Sequence, residues 1–280
     1  MPLRLGYPPV AVKFSVLFRF PYVKQVRRRS ASVLSGHLPP FIRKQKMDVE
    51  LKSFGSQYRA LVLGASGGIG RAIAATLSRD DQCEKTVSLS RSIDGLDLLD
   101  VTSISDQARR LQGKTFNLII CATGALTIDG VGPEKSIRQI SPDAMAKQFA
   151  INAIGPALVL KHFAALLPKS ERSVFAFLSA RVGSIGDNKL GGWVSYRASK
   201  AALNQIVRTA SIEIARSHPL SAVVAIHPGT VATELSDPYA ANRTRSEPDV
   251  AAGAILTTLD GVEPEQTGSF FAYDGSRIEW

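Results

Sequence analysis

From Tyr58 onward, short apolar runs alternate with longer stretches of 3.6-residue period. Residues 60–63, 86–89, 116–121, 173–178, 222–227 and 269–273 read as strands. Residues 69–78, 105–111, 142–167, 194–217 and 248–259 read as helices between them. This alternation predicts an α/β fold, a single Rossmann-type doubly wound parallel sheet with helices on both faces. In such sheets ligands bind beyond the carboxyl ends of the strands, so chemistry is expected just after strands. No internal repeat or low-complexity linker follows Met47, and one domain over residues 57–280 is the simplest expectation.

Composition changes this picture only at the N-terminus. The chain has 280 residues, 45% hydrophobic and 21% charged, with a net charge of +10. Residues 1–47 carry ten Lys or Arg and no Asp or Glu, and the remainder is neutral. A charge excess confined to one arm does not support a nucleic-acid-binding face on the folded part. The arm, residues 1–46, reads as a mitochondrial targeting peptide, a basic tail, or residues preceding a true start at Met47. The sharp switch at Asp48, the first acid, favours the late start, and Pro21 interrupts the amphipathic pattern that targeting requires. No run of about 18 apolar residues suggests a membrane span. Cys83 and Cys121 lie far apart without metal-ligand spacing, so a reducing compartment, the cytoplasm, is expected; genuine targeting would make it the mitochondrion. His162 and His218 read as solvated helix residues, and no metal site is expected.

The first strand runs into Gly64-Ala65-Ser66-Gly67-Gly68-Ile69-Gly70, and a helix follows at once. Such a turn lets a pyrophosphate approach the backbone at a helix N-terminus, where unpaired N–H groups and the dipole favour negative charge. The spacing of Gly64, Gly68 and Gly70 is GxxxGxG, and from residue 60 to the C-terminus the sequence resembles the short-chain dehydrogenase/reductase family. The resemblance implies a nicotinamide cofactor over the strand ends, with Ser66 and Ile69 beside the glycines.

Cofactor choice is read at the end of the second strand. An acid there accepts from the ribose hydroxyls of NAD; this chain has Ser90 and Arg91 instead. Arginine pairs with a 2′-phosphate in bidentate fashion, so NADP (NADPH) is favoured over NAD. The resemblance further implies that Asp100 contacts the adenine amino group with Val101 packed nearby. It places Ala122, Thr123 and Gly124 against the cofactor. Pro228, Gly229, Val231 and Thr233 carry the family's PG motif, which holds the nicotinamide carboxamide. His227 reads as structural.

Tyr196 and Lys200 form YxxxK, and the i, i+4 spacing puts both on one helix face. A phenol is a poor proton donor or base at neutral pH, and a nearby ammonium favours the phenolate. Asn152 sits mid-helix on an apolar face, where an amide needs a partner. The family implies that Tyr196 exchanges a proton with a carbonyl or alcohol, Lys200 assists, and Asn152 holds a water that relays protons to Lys200.

Two departures stand out. The family's NNAG run reads Cys121-Ala122-Thr123-Gly124. Its carbonyl-orienting serine is replaced by Ala180, leaving Ser179 or Ser184 to supply the hydroxyl, with Ser184 preferred for its place where pocket-lining loops begin. The long interval 184–193 before the tyrosine is similar to sniffer-like carbonyl reductases and C-factor-like proteins. The expected function is an NADP-dependent oxidoreductase acting on a small carbonyl or alcohol, assembled as a homodimer or homotetramer. The rival is a cofactor-binding regulator with little turnover. An epimerase of the extended relatives would want a larger C-terminal region than the roughly 50 residues after Gly229.

Overall fold

The computed structural model describes residues 49–239 and 244–280; the basic arm lies outside the described residues. Six strands form one parallel sheet: β1 (Tyr58–Leu63), β2 (Cys83–Leu89), β3 (Leu118–Cys121), β4 (Ser173–Leu178), β5 (Ser221–His227) and β6 (Phe270–Ala272). Their order across the sheet is β2-β1-β3-β4-β5-β6, so the winding reverses between β1 and β3. Helices α1 (Gly68–Leu77), α2 (Arg91–Asp94) and α3 (Val101–Arg110) connect the first three strands. Beyond β3 come α4 (Pro142–Phe149), α5 (Gly155–Phe163), α6 (Val194–Ser217) and α7 (Pro248–Asp260).

Strand alternation divides the core in two. Leu61, Leu63, Ile119, Phe175, Phe177 and Val223 face one layer, with Val159, Phe163 and Leu203 from α5 and α6. Ala60, Val62, Leu118, Ile120, Val174 and Val224 face the other, with Ile73 from α1 and Leu256 from α7. Because neighbours on a strand point to opposite faces, both faces must be apolar; this explains continuous apolar runs rather than alternating ones.

The folded body begins upstream of residue 57. Leu51 is fully buried, and its N–H donates to the Asp80 carboxylate at 3.0 Å. Arg172 lies 4.5 Å over the Phe54 ring and donates to the carbonyl of Asp260 at 2.8 Å, fastening this segment to the end of α7. His218 is buried rather than solvated, its Nδ1 2.9 Å from the Ser217 hydroxyl.

The helix expected over 142–167 is continuous but irregular. A π-helical turn, Ala150–Ile154, separates α4 from α5. Pro156 has no N–H to offer the carbonyl of Asn152, its α-helical partner four residues back, so the regular ladder cannot pass this point. By length and hydropathy alone Pro142–Leu166 could cross a membrane. Val159 and Phe163, both fully buried against the sheet, identify it as a core helix.

Candidate active site

The crossover between β1 and β3 opens a cleft at the carboxyl ends of the strands, with a volume of about 530 Å³. Its floor is the glycine turn. Gly64 has φ +88°, a conformation side chains rarely adopt, and a Cβ there would lie 2.9 Å from Thr123 Cγ2. A Cβ on Gly68 would lie 2.6 Å from Thr233 Cγ2, so two loops converge where only glycine fits. Gly70 packs directly on the Gly64 carbonyl behind the turn. The N–H groups of Ser66, Gly68 and Ile69 make no hydrogen bond among the described residues, and all three residues line the cleft. Free donors at the head of α1 suit a pyrophosphate, and a dinucleotide therefore fits this chain's residues.

Of the other expected contacts, Ala122, Thr123, Gly124, Tyr196, Lys200, Pro228 and Thr233 line the cleft. Ser90, Arg91, Asp100, Val101, Gly229 and Val231 do not. Ser90 is buried and caps α2: its hydroxyl accepts from the Ile93 N–H and donates to Asp94. Arg91 is exposed and makes no ion pair among the described residues. Its neighbour Leu89 accepts from the N–H groups of Gly64 and Ala65, which ties the end of β2 to the glycine turn. Asp100 caps α3 by accepting from Thr102, and Val101 is exposed as the first residue of that helix. Gly229 has φ +80° and lies under the Tyr273 ring, and Val231 is buried in a bridge to Ser246.

Tyr196 and Lys200 project from the first turns of α6, both buried. The Lys200 ammonium is 6.0 Å from the centre of the Tyr196 ring and donates to the carbonyl of Leu178 at 3.0 Å. Burial pushes the Tyr196 phenol above its ordinary value, contrary to the lowering expected from the lysine. The phenol loses water contact on entering the cleft wall, and at this separation the ammonium does not offset that loss. Burial also lowers Lys200 to about 8, opposed by the Cys121 thiol. Asn152 is fully buried behind Gly124. Its amide nitrogen donates to the Ala125 carbonyl and to Gln148, and its oxygen accepts from the Ala125 N–H, so the side chain clamps the loop after β3.

Ser184 does not line the cleft. A 3₁₀ turn, Arg181–Gly183, carries the chain away after β4, and the Ser184 hydroxyl accepts from the Asp187 N–H. Ser179, two residues before that turn, does line the cleft, with its hydroxyl 2.6 Å from Asn204 Oδ1. Asn204 Nδ2 is buried without a partner among the described residues. Gly67 of the glycine turn also borders the cleft, as do Arg71, Glu234, Leu235 and Asp237, which no motif marks in the sequence.

Lys200 allows a test without turnover. Its folded value of about 8 lies below the ordinary 10.5, so between those values the unfolded chain holds more protons and stability rises with pH. Below pH 8 the native state bears the full penalty of a buried ammonium. Lys200→Met is therefore expected to raise the cofactor-free Tm at pH 7 by ~5 °C, equivalent to ~2 kcal/mol. The gain should shrink at pH 10. Thermal denaturation at both pH values checks this, and a gain of equal size at both would contradict it.

Residues 93–244 match the profile of the short chain dehydrogenase family. The chain is 31% identical over 235 residues to the 1-hydroxy-2-glutathionyl-2-methyl-3-butene dehydrogenase of Rhodococcus sp. (strain AD45), covering 79% of this chain and 98% of that protein. The chain belongs to the short-chain dehydrogenase family. It is accordingly an NAD(P)-dependent oxidoreductase. The fold of this dehydrogenase is similar to an NADPH-bound carbonyl reductase from chicken fatty liver, with a TM-score of 0.69 at 26% identity over 80% of this chain and 95% of that one. Carbonyl reductase Sniffer of D. melanogaster shares the fold, with a TM-score of 0.68 at 18% identity over 81% of this chain and all of that one.

Proposed function

We propose that this dehydrogenase uses NADPH to reduce the carbonyl of a small molecule, with Tyr196 as proton donor. The observation that carries this reading is the buried phenol beside a buried ammonium at the cleft wall. A phenol held above its ordinary value stays protonated at neutral pH, which suits donation to a developing alkoxide. Lys200 stabilises the phenolate left behind. Asn152, buried behind Gly124, would hold a water that resupplies Lys200. When bound, the nicotinamide supplies the hydride.

The N–H groups of Ser66, Gly68 and Ile69 would hold the pyrophosphate, and Val231 and Thr233 the carboxamide. Ser179 would orient the substrate carbonyl in place of the residue missing at Ala180. Ile154 in the π turn and Ile212 on α6, both exposed, support pairing of two copies through these helices, as a homodimer or homotetramer.

Arg91 supports NADP over NAD. It stands two residues beyond β2, whose last residue Leu89 is bonded to the glycine turn, and it makes no ion pair among the described residues. Arg91→Ala is expected to weaken NADPH binding about tenfold, ~1.4 kcal/mol, and to leave NADH within twofold. Titrating both cofactors into parent and variant, then screening carbonyls for NADPH oxidation by the parent, tests the whole reading. Equal loss for both cofactors would remove Arg91 from the 2′-phosphate, and a parent that oxidises NADPH with no carbonyl would remove the reaction.

A further inference from the structure

The helix that carries Tyr196 starts in an unusual way. Gly191, Gly192 and Trp193 are left-handed in succession, with φ of 63°, 67° and 53°. For a residue as bulky as tryptophan this conformation persists only where surrounding contacts impose it. Trp193 occupies the N-cap position of α6, yet no side chain within the helix caps it.

The missing cap comes from Glu134, in the loop after β3. Glu134 is buried, and its carboxylate accepts from the Ser195 N–H at 3.1 Å and from the Ser195 hydroxyl. The Trp193 N–H donates to the Glu134 backbone carbonyl. Burial works to raise this carboxyl, but the bonds from Ser195 outweigh it and hold it below its ordinary value. A carboxylate at the positive end of a 24-residue helix is also favoured by the dipole. The consequence reaches the reacting group. The Trp193 ring meets the Tyr196 ring edge-on with centroids 6.2 Å apart, and meets Tyr239 at 5.5 Å.

We propose that Glu134 is a positioning residue, which caps α6 from a separate loop and thereby fixes Trp193 and the Tyr196 phenol at the cleft. The inference rests on Tyr196 as proton donor, but it has a readout of its own. The chain has two tryptophans, so a Trp280→Phe background makes Trp193 the sole emitter. In that background Glu134→Ala and Ser195→Ala should shift Trp193 emission. Each should lower kcat by about tenfold or more, with NADPH affinity within about twofold. Glu134→Gln keeps an oxygen for the Ser195 N–H, and its amide can donate to the hydroxyl, so it should stay within about threefold of the parent.

Unchanged emission and kcat in both alanine variants would overturn the proposal. So would a loss of kcat and NADPH affinity in parallel, the mark of general loosening. Should Glu134→Ala fail to fold, Ser195→Ala decides by the same readouts. Shifted emission in a chain that reduces no carbonyl would support the cap and overturn the proton-donor reading instead.

Discussion

Replacing Tyr196 with phenylalanine is expected to lower kcat for carbonyl reduction by about a thousandfold, in the range for loss of a positioned general acid. NADPH binding should stay within twofold, because the ring that forms the cleft wall remains. Stability should also hold. The phenol oxygen makes no hydrogen bond among the described residues, so removing it strands no partner. The pH profile should agree in sign. Reduction needs the phenol protonated and Lys200 charged. The phenol is pushed up by burial, whereas Lys200 falls to about 8, so activity should decline on the alkaline side as the ammonium is lost. Steady-state kinetics with cofactor titration and thermal denaturation check all three expectations. A variant keeping more than a tenth of parental kcat would remove Tyr196 from the reaction.

The second large effect is expected at Ser179. Its hydroxyl lies 2.6 Å from Asn204 Oδ1, while Asn204 Nδ2 is buried with no partner among the described residues. A half-turn of the Asn204 amide gives Nδ2 an acceptor in Ser179 Oγ, relieving a buried donor whose isolation costs about 1–3 kcal/mol. The same half-turn frees the Ser179 proton to point at a carbonyl in the cleft. Ser179→Ala should then lower kcat/KM about a hundredfold, as for one donor of an oxyanion site. Ser184→Ala should change it by less than about twofold, since that hydroxyl serves a local turn. Measuring both variants on one carbonyl substrate separates the alternatives; the reverse ranking would return the role to Ser184.

The strands were legible because burial on both faces leaves an uninterrupted apolar signature, and the glycine turn because close approach tolerates no side chain. Tyr196 and Lys200 were legible because four residues is one helical turn. What escaped depends on contacts remote in sequence or on competition between local effects. Ser179 and Ser184 are five residues apart, and only the direction of a 3₁₀ turn decides which meets the cleft. Asp100 has a second role that its place in the sequence left unstated: a short acid before a helix is also a cap, and one of its carboxylate oxygens holds Thr102. The break at Asn152 had a signal in Pro156, four residues on. The cap from Glu134 had none, because 61 residues separate it from Ser195. Nor does sequence reveal the balance between burial and the lysine that sets the Tyr196 phenol.

The account turns on reduction occurring at the Tyr196 face of the cleft, and isotope transfer tests that most directly. Given NADPH deuterated at C4 and a carbonyl substrate, a single turnover of the parent should yield an alcohol with deuterium on the former carbonyl carbon. Tyr196→Phe, with cofactor bound to the same extent, should yield almost none. Labelled alcohol at equal rates from both proteins, or NADPH consumed without label reaching the product, would contradict it.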